Sequence, residues 1–161
     1  FNKQNMKNAI FPGSFDPFTL GHLDIVKKSE KIFDKIIIGI GENDSKKPLL
    51  SVEKRKKIIK QIFIKNDKIV VKDYNCLTVE FCKINNIGFI IRGLRNSTDF
   101  QKEKELALMN EALDKSITTL FLPCSKEHSI ISSSLVKELI LKKGEFNKFV
   151  PKEIFNELKS F

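Results

Sequence analysis

Tryptophan is absent from the 161 residues, tyrosine occurs once (Tyr74), glycine seven times and proline five times. Collagen-like and low-complexity chains are excluded by that shortage of Gly and Pro, and a disordered chain by the 41% apolar content. No apolar run reaches the ~18–20 residues that a membrane-crossing helix needs, and the lysine-bearing N-terminus has no signal-peptide apolar segment. Cysteine is scarce as well. Cys76, Cys82 and Cys124 match no zinc spacing and no Cys-x-x-Cys pair, and with only His22 and His128 beside them a Cys/His metal cluster is not expected. The expectation is a cytoplasmic protein with reduced thiols and no membrane partner.

What is present is positive charge: 29 Lys+Arg against 20 Asp+Glu, a net +9. It is spread along the chain with no basic tail, which favours anionic partners such as nucleotides and phosphorylated metabolites. A nucleic-acid-binding module is the reading of a different class. It lacks stacking aromatics, because the 14 Phe fall mostly at core-period positions. The run Lys54-Arg55-Lys56-Lys57 reads as the solvated face of a helix.

Phe1 to Asn5, ahead of Met6, read as a remnant of cloning or processing, and residues 6–161 as one domain without repeats or linkers. Five short apolar runs, Ala9-Ile10-Phe11, Ile36 to Ile40, Ile69-Val70-Val71, Phe89-Ile90-Ile91 and Leu120-Phe121-Leu122, are continuous rather than alternating. This suits parallel strands covered on both faces. Helical periods lie between them: from about His22 to Phe33, after the N-cap candidate Ser51, from Thr78 to Asn85, from Asp99 to Leu113, and from the serines at 132–134 to near Gly144. A short last helix follows Pro151. The alternation predicts an α/β fold, a single-domain doubly wound, mainly five-stranded parallel sheet of Rossmann-like type with helices on both faces.

In such sheets ligands gather beyond the carboxyl ends of the strands. The first run is followed by Pro12-Gly13-Ser14-Phe15-Asp16-Pro17-Phe18-Thr19-Leu20-Gly21-His22, where Gly13 permits a close backbone approach. Gly21-His22 open a helix whose free N–H groups attract phosphate. Ser45-Lys46-Lys47-Pro48 follow the second run. Arg92-Gly93-Leu94-Arg95 follow the fourth, with two guanidinium forks suited to phosphate and a glycine that clears space. The fifth leads to Ile131-Ser132-Ser133-Ser134 at a helix start, where one serine suffices as N-cap. Gly-x-x-x-x-Gly-Lys-Ser/Thr, the dinucleotide fingerprint and the hydrolase elbow are all missing, so a nucleotide site must use other parts.

Taken together, Gly13-Ser14-Phe15-Asp16-Pro17…Thr19-Leu20-Gly21-His22, Ser45-Lys46-Lys47-Pro48, Ile91-Arg92-Gly93-Leu94-Arg95…Asp99-Phe100…Glu103 and Ile131-Ser132-Ser133-Ser134-Leu135-Val136-Lys137-Glu138 closely resemble the bacterial phosphopantetheine adenylyltransferase family. The likeness spans about Lys7 to Phe149. It implies reversible adenylyl transfer from ATP to 4'-phosphopantetheine, giving dephospho-coenzyme A and pyrophosphate. It also implies Mg2+ carried with ATP rather than held by protein side chains and a cytoplasmic homohexamer, and it leaves coenzyme A feedback open. By the same likeness His22 stabilises the transition state, with Lys46 and Arg95 as further catalytic cations. Ser14, Phe15, His22, Gly93, Leu94, Arg95, Glu103 and the stretch His128, Ser129, Ile130, Ile131, Ser132, Ser133 and Ser134 would meet ATP. Ser14, Lys46, Thr78 and Arg92 would meet phosphopantetheine. The chain departs from familiar members at His128, Ile130 and Lys102, positions that bear on adenine packing.

The chemistry suits these parts. A phosphate acceptor is already a nucleophile at neutral pH, so the demand is to bring two anions together and to stabilise charge growing at the α-phosphate. The nearest alternative is another nucleotidyltransferase of the same superfamily, acting on glycerol phosphate, nicotinamide mononucleotide or a CTP substrate. A catalytically silent interaction protein is the third reading.

Overall fold

The strands form in the order in which their apolar runs occur, and each is followed by a helix. In the computed structural model, residues 6–41 and 47–161 are described, so the expected N-terminal remnant and Lys46 lie outside the described residues. The elements are β1 (Asn8–Gly13), α1 (Leu20–Ser29), β2 (Lys35–Gly41), α2 (Val52–Ile62), β3 (Ile69–Tyr74), α3 (Thr78–Ile84), β4 (Phe89–Leu94), α4 (Ser97–Leu113), β5 (Thr118–Pro123), α5 (Ser133–Leu141) and α6 (Lys152–Lys159). A 3-10 turn, Lys126–His128, lies between β5 and α5.

The five strands make one sheet in the order β3-β2-β1-β4-β5, and every pair is parallel. This is the expected doubly wound α/β fold. The order reverses between β1 and β4, which places a crevice between the loops that leave their carboxyl ends. β1 pairs with β2 over its whole length, Asn8 with Lys35 through Gly13 with Ile40. Its pairing with β4 is confined to Ala9–Phe89 and Ile10–Ile90. The two strands therefore separate as they approach the crevice.

Alternate residues of β1 serve opposite faces. Ala9 and Phe11 join the larger core, with Ile25, Val26, Ile58, Ile59, Val136 and Ile154 from the helices. Ile10 joins the smaller one, with Ile37, Val79, Phe81 and Cys82. Every residue from Ile36 to Ile40 is buried, as a continuous apolar run requires when helices cover both faces.

Three expectations change. The first helix ends at Ser29, whose buried hydroxyl bonds back to the Ile25 carbonyl, so Phe33 reaches the core from a turn, against Phe89. β5 is not covered on both faces: none of its residues is fully buried, because the neighbouring helix α4 also buries none. Finally, Lys54 to Lys57 are not a solvated face. Arg55 is 5% exposed, since the period that turns Val52, Ile59 and Ile62 to the core turns position 55 with them. Lys54 pairs with Glu157 of α6 and Lys56 with Asp73 of β3, which leaves Lys57 in solvent.

Candidate active site

The loop after β1 builds its own helix start. Thr19 is the N-cap of α1: its hydroxyl accepts from the His22 backbone N–H, while the Thr19 backbone N–H donates to His22 Nδ1 at 3.0 Å. This is a capping box in which a histidine takes the place usually held by Glu or Gln. The reciprocal bonds explain why Thr and His stand three residues apart. They also fix the tautomer, because a ring nitrogen that accepts carries no proton, and the proton of the neutral imidazole is left on Nε2.

Three phenylalanines enclose that ring, with centroids 4.9 Å (Phe15), 5.2 Å (Phe18) and 6.1 Å (Phe11) from it. Burial, followed by the positive charges of Arg95 and Arg92, lowers the His22 pKa to about 3. His22 is therefore a neutral donor at physiological pH, held in one orientation and aimed into a cavity. The charge of the arginines reaches it without an ion pair of its own.

The cavity has a volume of about 320 Å³ and opens over the ends of β1 and β4, at the switch point of the sheet. His22, Arg92, Arg95 and the hydroxyl-bearing Ser132, Ser133 and Ser134 all line it, although they come from three separate stretches of chain. Ser14, Phe15, Gly93, Glu103 and Ile131 complete the set of expected residues on its wall. Gly93 also serves the packing behind the cavity. A Cβ there would come within 2.9 Å of Ile25, so the glycine lets α1 pack on β4. A Cβ on Gly13 would similarly strike the buried ring of Phe15 at 2.9 Å.

Both arginines are already engaged. Arg92 makes two bonds to Glu103, Nε to Oε2 at 2.5 Å and Nη2 to Oε1 at 2.6 Å, and a third to the Pro12 carbonyl at 3.1 Å. Arg95 forks onto Asp99 at 2.8 and 3.1 Å. The bonds from Arg95 hold the Asp99 carboxyl below its usual pKa. Carboxylates thus keep the two guanidinium groups extended over the cavity. Cys124 adds a neutral wall, with burial raising its thiol pKa.

At the start of α5, Ser132 is the N-cap and accepts from the Leu135 N–H, and Ser133 donates to the Pro17 carbonyl at 2.9 Å. One serine caps the helix, one ties it to the β1 loop, and Ser134 is exposed at the cavity. The remaining expected residues stand outside the lining. Leu94 ends β4, Ile130 is exposed, and the Ser129 hydroxyl bonds to the Lys126 carbonyl. His128 Nδ1 lies 3.9 Å from Asp24. Thr78 starts α3, where its hydroxyl is engaged by Tyr74 at 2.9 Å.

Several participants were not singled out from sequence. Asp24, two residues after His22, accepts from the Ser125 N–H and hydroxyl and from Lys28, and so pins the loop after β5 to α1. Burial opposes its ionisation, but those bonds outweigh it and leave its pKa lowered. Asp16 accepts from the backbone N–H groups of Leu49 and Leu50 and faces Lys137 at 3.4 Å. Arg55 donates to the carbonyls of Leu50 and Ser14. The inward phase of Arg55 with Val52 and Ile59 was a signal that could have revealed one of these.

A family model described as cytidylyltransferase-like matches residues 10–139. A phosphopantetheine adenylyltransferase of Lachnoclostridium phytofermentans is 46% identical over 92% of this chain and 91% of its own length. One from Flavobacterium psychrophilum is 47% identical over 92% and 98%. One from Borreliella burgdorferi is 44% identical over 96% and 97%. The chain belongs to the phosphopantetheine adenylyltransferase family. Solved structures agree on the fold. A bifunctional NMN adenylyltransferase/ADP ribose pyrophosphatase from Francisella tularensis superposes with a TM-score of 0.75 at 15% identity, over 97% of this chain and 49% of that one. A nicotinic acid mononucleotide adenylyltransferase from Plasmodium falciparum gives 0.67 at 19% identity, over 94% and 96%.

Proposed function

We propose that this nucleotidyltransferase moves an adenylyl group from ATP to 4'-phosphopantetheine, releasing pyrophosphate and forming dephospho-coenzyme A. The observation that carries the reading is the shared cavity in which a neutral, oriented His22 meets Arg92, Arg95 and the serines of α5. An acceptor phosphate oxygen attacks the α-phosphorus of ATP, the new P–O bond forms, and the bond to the pyrophosphate oxygen breaks. No proton must be removed from the nucleophile, so the reaction calls for no general base. His22 Nε2–H donates to an α-phosphoryl oxygen as its charge grows, and its orientation is set beforehand by Thr19.

Arg95 holds the triphosphate and Arg92 the acceptor phosphate, each exchanging part of its carboxylate pairing for phosphate oxygens. Lys46 adds positive charge on the acceptor side. Mg2+ enters with ATP. The nearby carboxylates of Asp99, Glu103 and Asp16 are committed to arginines or to backbone N–H groups, and no cluster of three potential ligands occurs among the described residues. When bound, the ion would neutralise phosphate charge while coordinated mainly by phosphate oxygens and water.

The site is proposed to work in the cytoplasm, which the three free thiols suit. No helix among the described residues is long and apolar enough to cross a membrane. A homohexamer suits α4, which buries no residue and exposes Leu106, Leu108, Met109 and Leu113. Light scattering should then report a particle about six times the 18.5 kDa chain. The deciding experiment for activity gives the purified protein a panel of nucleotides and acceptors with Mg2+ and scores pyrophosphate release, with mass detection of dephospho-coenzyme A. ATP with phosphopantetheine should be the preferred pair. A preference for CTP, or for nicotinamide mononucleotide as acceptor, rejects the proposal.

A further inference from the structure

Phe15 is one of three non-glycine residues among those described with positive φ, at 49°, and it is 1% exposed. The left-handed region is unfavourable for a bulky side chain and persists only where surrounding contacts impose it. Two such contacts are visible. The Phe15 ring is packed among Phe11, Phe18 and His22. The preceding carbonyl, that of Ser14, accepts from Arg55 Nη1 at 2.7 Å, and the same buried guanidinium donates from Nε to the Leu50 carbonyl at 3.1 Å.

The Ser14–Phe15 peptide is trans, so its C=O and N–H point in opposite directions. Anchoring the carbonyl on Arg55 turns the Phe15 N–H the other way, and no described residue accepts from it. Both residues of that peptide line the cavity. A carbonyl bonded to a cation also polarises its peptide group and makes the N–H a better donor.

We infer that Arg55 is a positioning residue for adenylyl transfer: by holding the Ser14 carbonyl it presents the Phe15 N–H to the phosphate chain of ATP. The inference rests on the proposed ATP site and adds a residue that does not itself touch substrate. Its reach extends through Leu50, whose N–H donates to Asp16, so the loop before α2 and the loop after β1 are locked together at one guanidinium.

The test uses the full chain and inorganic tripolyphosphate as the probe. Labelling serine carbonyl carbon with 13C and phenylalanine nitrogen with 15N isolates two peptide groups, Ser14–Phe15 and Ser160–Phe161, and the second serves as an internal control. Tripolyphosphate should shift the Ser14–Phe15 amide and leave the other in place. An unmoved Phe15 amide in saturated wild-type protein overturns the inference without any variant being made.

Arg55→Met should then weaken tripolyphosphate and Mg-ATP tenfold or more while phosphopantetheine affinity changes less than threefold. Arg55→Lys, which retains charge and stem, should fall between, and added guanidinium chloride at low millimolar concentration should restore part of the Met variant's turnover. A folded Arg55→Met or Arg55→Lys protein that binds tripolyphosphate as tightly as wild type overturns the inference. Failure of the wild-type protein to form dephospho-coenzyme A would count against the parent reading alone, because the amide shift needs no turnover.

Discussion

The loops leaving β1 and β4 face each other across one cavity and solve the same problem differently. After β1, the chain uses its backbone and a wall of phenylalanines. His22 is oriented by a helix cap, kept neutral by burial, and offers one N–H in one direction. After β4, it uses charge. Arg92 and Arg95 are held by Glu103 and Asp99, bonds that phosphates would replace in the proposed reaction. A donor that acts on a transient charge gains from being fixed before the reaction, whereas groups that bind and release highly charged ligands gain from a partner waiting on the protein.

The largest expected effect breaks the β1 side. His22→Ala should lower kcat by about 10²–10³, the loss typical of one preorganised oxyanion donor, with the fold retained and Mg-ATP affinity little changed in calorimetry. A variant with near wild-type turnover removes His22 from the chemistry. On the β4 side, Arg95→Lys keeps the charge but loses the fork, and kcat/KM for ATP should fall about tenfold, ~1.4 kcal/mol. Asp99→Asn, which only frees Arg95, should cost less than that. If Asp99→Asn is the more damaging of the two, the carboxylate does more than hold its arginine.

A smaller effect lies where α5 joins the two sides. Ser132→Ala removes the N-cap bond to Leu135 and should lower stability by about 1 kcal/mol in urea unfolding. Ser134→Ala, with no cap to lose, should leave the midpoint unchanged.

The sheet was readable from sequence because runs such as Ile36 to Ile40 are buried on both faces and cannot be mistaken for alternating strands. The strand order was not readable, since periodicity says nothing about which run lies beside which; the reversal between β1 and β4 appears only in the folded chain. α4 was readable as a helix, but what covers it was not. Leu106, Met109 and Leu113 recur at helical spacing, yet all three are exposed in the single chain. Among the site residues, those on strand ends and at helix starts were legible because such places offer free N–H groups to anions. Arg55 was hidden by its lysine neighbours, although its helical phase with Val52 and Ile59 pointed inward.

Acid should separate the two sides further. In the unfolded chain His22 titrates near 6.5, and in the folded chain at about 3. The unfolded state therefore binds the extra proton in between, and stability contributed by neutral, half-buried His22 is fully present above pH 6.5 and lost as pH falls toward 3. His22→Gln should flatten that part of the stability–pH curve.

The most direct measurement is the ring 15N spectrum of His22 in the ligand-free protein. A fixed, uncharged donor predicts a proton on Nε2, none on Nδ1, and no change between pH 8 and pH 5. A ring that titrates near 6.5, or carries its proton on Nδ1, would contradict the claim that α1 sets this imidazole in place before the substrates arrive.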